Sequence, residues 1–335
     1  MSYTSINFDN KNILITGGAG FIGSNLAFYF QDNFPNANIV IFDCFRSEDK
    51  FSNGNLKSLG NFKNLVGFKG NIICGNINSK NDLSLLSRYK FDYIFHQAAI
   101  SDTQVFDQEY IMKTNLNSFY DILEIAKKHN SAIIYASSAA VYGNSVSPQS
   151  LGNEDPLNPY GYSKYAMDQV AIKFMKENPK MLIIGLRYFN VYGPREFYKG
   201  STSSMVIQLG HQILKGNSPR LFTNSRNIFR DFIYIEDVIQ ANIKACLASI
   251  NNIYNVGTGA PRSFQDISDI LQKELRTNYK TDYFSNPHKA YQNHTQADIK
   301  STNKFLNFNP SVSLEEGIRK YIPEIKRLFK IVEYE

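Results

Sequence analysis

Six short apolar runs, separated by polar or helix-patterned chain, set the rhythm of this sequence. They are "NILIT" at 12–16, "NIVIFD" at 38–43, "NLVGFKGNIICGN" at 64–76, "FDYIFHQAA" at 91–99, "SAIIYASS" at 131–138 and "MLIIGLRYF" at 181–189. Runs rich in β-branched residues and without clean alternation describe strands covered on both faces, as in a parallel sheet. Between them, apolar residues recur at intervals of three and four, which predicts helices over 21–31, about 106–129 and 160–176. The alternation of strand and helix predicts an α/β fold with a doubly wound parallel sheet. Beyond Asn190 the pattern changes. "GPREFYKGSTSS" is loop-like, a helix is expected at about 203–215, and "RDFIYIEDVIQANIKACLA" at 230–248 reads as a strand feeding a long helix. The expected organisation is a larger sheet domain of residues 1–190 plus about 231–260, and a smaller C-terminal α/β lobe of 191–230 and 261–330.

The 335 residues suffice for a large core, and 43% hydrophobic with 20% charged residues is ordinary for a globular protein. A formal net charge of +6 favours an anionic ligand weakly, but lysines and arginines never form a run of five or six, so no nucleic-acid arm is expected. Cys44, Cys74 and Cys246 are odd in number and far apart, which argues against a disulfide framework and a zinc site. The five histidines, His96, His129, His211, His288 and His294, include no HExxH, and no metal is expected. The polar start and the lack of any apolar stretch near 18 residues point to a cytoplasmic protein without membrane contact.

"ILITGGAGFIGSNL" at 13–26 places Gly17, Gly20 and Gly23 between the first strand and the first helix. Glycines at this spacing allow a tight turn, close backbone approach to a pyrophosphate and helix packing on the sheet, with the phosphate at the helix N-terminus. The sheet is therefore expected to be Rossmann-type and to bind a dinucleotide. Asp43 follows at the end of the second strand, where a carboxylate can bind a ribose hydroxyl, and it favours NAD. Arg46 and Lys50 follow closely and offer the cations that a 2′-phosphate needs, so the two signals conflict between NAD and NADP.

"NPYGYSKYAMDQ" at 158–169 carries Tyr160 and Tyr162 ahead of Lys164. Residues four apart share a helix face and residues two apart do not, so only Tyr160 pairs with Lys164. A lysine cation nearby favours the phenolate and lowers the tyrosine pKa, which opens proton-transfer chemistry.

Together with Ser138 in "YASSAAVYG", the glycine turn and the Tyr160/Lys164 pair resemble the extended short-chain dehydrogenase/reductase superfamily, which acts on nucleotide sugars. The resemblance implies that Tyr160 is the acid/base at a sugar hydroxyl, that Lys164 holds the nicotinamide ribose, and that Ser138 hydrogen-bonds the reacting oxygen. Read alone, Ser138 is equally a strand-end hydroxyl. The superfamily pattern extends the cofactor site to Gly17, Gly20, Phe21, Ile22, Gly23, Asp43, Arg46, Lys50, Asn76, Ile77, Gln97, Ala98, Ala99 and Asn115, with Tyr160 and Lys164. Many relatives place an aspartate where Asn76 stands in "GNI"; asparagine still offers a carbonyl and an amide.

Within the superfamily, "SSAAVYG", "LRYFNVYGPREFYKGS", "FRDFIYIEDV", "YNVGTGAPRSFQDI" and "YQNHTQAD" are similar in order to the ADP-heptose 6-epimerase family of lipopolysaccharide inner-core biosynthesis, from about residue 12 to about 328. The reaction so implied inverts carbon 6 of the heptose through a 6-keto intermediate with bound NADP, NAD being the alternative. Inversion needs a proton donor or acceptor on each face, and Lys199 in "YKGS" matches the second base. Without the resemblance, Lys199 reads as a surface lysine. Ala139 and Ala140 stand where nucleotide-sugar dehydratases carry an acidic pair, so elimination of water loses its acid and base. Ser101, Thr103, Asn190, Ser201, Phe222, Arg230 and Tyr291 are the implied contacts to the nucleotide-sugar substrate, Arg230 by its fit to phosphate. Arg230 is otherwise readable as a structural ion-pair residue. A homo-oligomer is expected. An epimerase, dehydratase or reductase on another nucleotide-activated sugar, and a non-catalytic dinucleotide-binding scaffold, are the alternatives.

Overall fold

The computed structural model describes residues 3–286 and 292–332. Seven parallel strands form its central sheet: β1 (Asn12–Thr16), β2 (Asn38–Asp43), β3 (Asn71–Cys74), β4 (Tyr93–His96), β5 (Ala132–Ser138), β6 (Ile183–Tyr188) and β7 (Asn252–Val256). Their order across the sheet is β7-β6-β5-β4-β1-β2-β3. Ile15 of β1 lies between Ile41 of β2 and Phe95 of β4, so three large apolar residues share one row. Successive residues face opposite ways: Ile13 and Ile15 join one hydrophobic cluster while Leu14 joins another with Val40, Ile94 and Ile133. Helices cover both faces, which is why the strands read as unbroken apolar runs.

The chain turns to opposite sides of the sheet after β1 and after β4, and the crevice between these neighbours opens at the strands' C-terminal ends. The strand expected within 64–76 is only Asn71–Cys74, preceded by a short turn at Phe62–Leu65. The seventh strand, β7, lies outside the six apolar runs. It pairs with β6, Tyr254 opposite Leu186.

The helix expected at about 106–129 is interrupted. Gln108–Ile111 and Ser118–His129 are α-helical, and Met112–Asn117 between them is a π-helix. Helix Pro159–Glu177 begins where the Asn158 side chain accepts a hydrogen bond from the Gly161 N–H at 2.8 Å, with proline at the first helical position. Past β6, short strands pair off: Asn190–Tyr192 with Phe232–Tyr234, Arg220–Phe222 with Asp282–Phe284, and Phe229–Arg230 with Arg262–Ser263. Helices Met205–Leu214, Phe264–Leu275 and Leu314–Val332 pack together, and Leu209, Leu271 and Ile325 join the cluster that includes Ile15. Among the described residues, no helix is long and apolar enough to cross a membrane.

Candidate active site

A cavity of about 1280 Å³ opens at the C-terminal ends of the strands. Its floor is the glycine turn. Gly17 follows β1 with φ of +68°, and a Cβ there would stand 2.7 Å from the Ala98 nitrogen. A Cβ on Gly23 would stand 2.2 Å from the Gly17 carbonyl oxygen, so the helix can lie against the turn only without one. Gly20 caps helix Phe21–Asn33 with no side chain, and Phe21 and Ile22 line the cavity where the helix begins. The bare cradle and the helix N-terminus fit a pyrophosphate.

Asp43 is 6% exposed and spends its carboxylate on the backbone: Oδ2 accepts from Ala19 N–H at 3.0 Å and Oδ1 from Phe45 N–H at 2.7 Å. Burial pushes its pKa up, against those two hydrogen bonds. It lines the cavity and at the same time braces the glycine turn. Of the cations behind it, Arg46 is exposed and donates to the Tyr198 carbonyl, and Lys50 is exposed; neither lines the cavity. Lys57, which nothing in the residue pattern distinguished, does line it, with its ammonium 4.7 Å from the Tyr110 ring centroid.

Asn76, Ile77, Gln97, Ala98 and Ala99 line the cavity. Asn115 does not. It is fully buried in the π-helical stretch, where its amide accepts from Ile100 N–H at 2.8 Å and donates to Ile100 O at 3.0 Å and Ser163 Oγ at 2.9 Å. Those bonds consume it and make it a brace for the loop after β4 rather than a cavity residue.

Ser138 ends β5, and Tyr160 and Lys164 share the inward face of helix Pro159–Glu177; all three line the cavity. Tyr162 points away and is 52% exposed. Tyr160 is buried, and its phenol is pushed up by burial while a hydrogen bond with Ser138 works to lower it. The pairing argument predicted a depressed phenol beside Lys164. The structure differs because Lys164 Nζ turns to the Ala136 carbonyl at 2.8 Å and the Met167 sulfur at 3.6 Å, and desolvation dominates at Tyr160. Burial also lowers the Lys164 pKa to about 8, with Asp168 opposing. A lysine so placed exchanges its proton near neutral pH.

Lys199 comes from a separate turn, Phe197–Thr202, and lines the same cavity with its ammonium 5.8 Å from the Phe21 ring centroid. Burial lowers its pKa, and the carboxylates of Glu196 and Asp102 counter that. Glu196 is itself fully buried, accepting from Gly193 N–H at 3.1 Å and from Ser204 N–H and Oγ at 2.7 and 2.8 Å.

Ser101, Thr103, Asn190 and Arg230 line the cavity as well. Arg230 is 7% exposed and its guanidinium lies 5.7 Å from the Phe264 ring centroid. Ser201 and Phe222 lie outside the lining: Ser201 donates to Asn55 Oδ1 at 2.9 Å, and Phe222 packs edge-on against Phe284. Tyr291 lies outside the described residues. Asp102, Tyr110, Gln292 and Thr295 line the cavity without having been singled out by sequence: Asp102, Gln292 and Thr295 sit in chain without a periodic signal, and Tyr110 in a helix of only four residues.

Known proteins are similar to this chain over most of its length. A model of the NAD dependent epimerase/dehydratase family matches residues 13–257. A Brachyspira hyodysenteriae (strain ATCC 49526 / WA1) protein, described as ADP-L-glycero-D-manno-heptose-6-epimerase, is 36% identical over 325 residues, covering 94% of this chain and 98% of its own. The crystal structure of Helicobacter pylori ADP-L-glycero-D-manno-heptose-6-epimerase is similar with a TM-score of 0.88 and 48% identity, over 97% of this chain and 99% of that one. The structure of Bacillus cereus UDP-glucuronic acid 4-epimerase with UDP-glucuronic acid and NAD is similar with a TM-score of 0.81 and 27% identity, over 95% of this chain and 99% of that one. With fold, glycine cradle and relatives in agreement across most of its length, this chain belongs to the NAD dependent epimerase/dehydratase family.

Proposed function

We propose that this protein is an ADP-L-glycero-D-manno-heptose 6-epimerase that supplies heptose for the inner core of lipopolysaccharide. The observation that carries the reading is that Ser138, Tyr160 and Lys164 from one part of the chain and Lys199 from another line a single cavity beside the glycine cradle. Relatives of 36% and 48% identity bearing that enzyme's name support the choice of sugar.

When bound, a nicotinamide dinucleotide takes up a hydride from the sugar and returns it. Gly17, Gly20 and Gly23 with the helix that follows would hold its pyrophosphate, and Lys164 its nicotinamide ribose. Tyr160, once its phenol has given up its proton against the upward push of burial and with the help of its hydrogen bond to Ser138, would take the proton of the carbon 6 hydroxyl as the carbinol becomes a ketone. Lys199 would give the proton to the ketone oxygen when the intermediate presents its other face to the hydride, so that the alcohol returns inverted. Ala139 and Ala140 line the cavity and carry no carboxyl, which favours inversion over loss of water.

We further propose NADP over NAD. Asp43 is committed to backbone N–H groups, and Lys57 presents a cation to the cavity. The reading assigns residues 1–190 and about 231–260 to the dinucleotide, and 191–230 and 261–330 to the nucleotide sugar, in a cytoplasmic homo-oligomer. The test incubates the purified protein with ADP-D-glycero-D-manno-heptose and follows the carbon 6 proton by NMR. Conversion to the L-glycero epimer is expected without added cofactor; no conversion by protein that retains its dinucleotide overturns the proposal. Mass measurement of the dinucleotide released on denaturation decides between the two cofactors.

A further inference from the structure

Asp102 lies on the loop after β4, between the two substrate contacts expected from sequence, Ser101 and Thr103. It is 7% exposed and lines the cavity. Among the described residues its hydrogen bonds come from neutral groups: Oδ1 accepts from Gln104 N–H at 2.8 Å, and Oδ2 from Asn55 Nδ2 at 2.7 Å and Asn53 Nδ2 at 3.2 Å. Asn55 bonds in two directions. Its Oδ1 accepts from Ser201 Oγ at 2.9 Å, two residues beyond Lys199 on the same turn. One amide, in the short hairpin bridged at Lys50 and Leu56, thus joins the loop after β4 to the turn that bears Lys199.

That turn is also held from its own side, by Thr202 Oγ1 donating to the Lys199 carbonyl at 2.9 Å and Ser203 Oγ to the Gly200 carbonyl at 2.7 Å. Gly200 has φ of +60° in its middle with open space around it, and Lys199 is held locally by its backbone N–H on the Glu196 carbonyl at 2.9 Å. We propose that Asp102 is the positioning residue for Lys199, its carboxylate holding the Lys199 turn through Asn55 and Ser201 and placing a negative charge near the amine without pairing with it directly. The inference rests on the epimerase reading and deepens it. An amine in a tight ion pair would be withheld from the sugar, whereas one facing a nearby carboxylate stays charged and free to reach.

The other groups facing this region act from all sides. Glu196 is on the turn itself, and Tyr321 of the C-terminal helix interacts with Glu196. From the dinucleotide side, Arg46 donates to the Tyr198 carbonyl, and the Lys63 ammonium is 5.8 Å from the Tyr198 ring centroid. Glu196 and Asp102 are the two that raise Lys199 against the lowering effect of burial. Removing the Asp102 charge therefore lets the amine lose its proton at lower pH.

The test uses holoenzyme and two readouts. Competitive labelling of Lys199 with acetic anhydride across pH, quantified by mass spectrometry, reads the amine without reference to turnover; epimerisation kinetics across pH read its use. Asp102→Asn is expected to move the Lys199 labelling midpoint to lower pH and to lower kcat by about tenfold with KM near wild type, a modest part of a full acid–base contribution. Asn55→Ala, which cuts the same tie from its middle, is expected to lower kcat and to change Lys199 labelling, and it carries the test should Asp102→Asn fail to fold. Wild-type labelling and wild-type kcat in either folded variant overturn the positioning role. If wild-type protein does not epimerise the heptose but Asp102→Asn still shifts the labelling midpoint, the charge relation stands and the choice of substrate falls.

Discussion

Arg187 Nε donates to Asp168 Oδ2 at 2.9 Å, and Asp168 stands one helical turn beyond Lys164. Both residues are essentially without solvent exposure. The guanidinium also donates to Tyr142 Oη at 2.9 Å and Glu154 Oε1 at 2.6 Å, and Asp168 accepts from Tyr135 and Ser137, each at 2.9 Å. Removing one member of such a pair strands the other charge. Arg187→Met is expected to cost about 3–5 kcal/mol, read from urea unfolding, while the double variant with Asp168→Leu loses less than the sum of the two single changes.

Tyr160→Phe removes one hydroxyl from a buried ring and leaves the helix cap at Asn158 and the glycine cradle untouched. The expected result is a loss of about 10²- to 10⁴-fold in kcat with dinucleotide content and unfolding midpoint unchanged. NMR turnover and release of the dinucleotide on denaturation check both halves. A variant that keeps wild-type turnover removes Tyr160 from the chemistry.

Lys164 gives stability a pH signature. Its pKa falls from 10.5 unfolded to about 8 folded, so the cost of burying the cation is fully present below about 8 and disappears where both states are neutral. The unfolded chain binds more protons between those values, and stability therefore rises with pH from about 8 to about 10.5. Lys164→Met abolishes this rise. Urea midpoints measured for both proteins across that window should converge toward alkaline pH; a gap that stays constant contradicts the assigned burial.

Lys57 is the cation through which the cavity wall would tell a 2′-phosphate from a hydroxyl. Lys57→Ala is expected to weaken NADP by about tenfold, the scale of one charge-assisted contact, and to leave NAD nearly unchanged. Titration of dinucleotide-depleted protein with each cofactor measures the ratio. Equal losses for both would place Lys57 in loop packing alone, consistent with its position over the Phe51 and Tyr110 rings.

What could be read from the sequence follows the reach of each signal. β1 and β2 are continuous apolar runs because both faces are covered, so their ends coincide with the pattern at Asn12–Thr16 and Asn38–Asp43. The face shared by Tyr160 and Lys164 follows from helical geometry, and exposed Tyr162 shows the same rule from the other side. Long-range contacts left no such trace. Asp102 meets Asn55 across 47 positions and Ser201 meets Asn55 across 146, and no local pattern encodes either bond. The phenol of Tyr160 was misjudged for a related reason: spacing reveals a neighbour's charge but not how much water the fold excludes.

The π-helical stretch Met112–Asn117 has a consequence for everything after it. A wide turn takes up one residue more than an α-turn, which offsets all later side chains by about 100° around the axis relative to an unbroken α-helix. Phe119, Ile122, Leu123 and Ala126 meet the sheet because of that offset, and Tyr120 is left outside. Deleting a single residue between 112 and 117 would close the wide turn into α-turns and leave the later apolar stripe on the core, but would displace Asn115 from its bonds to Ile100. The wide turn thus serves the loop after β4 rather than the packing that follows it.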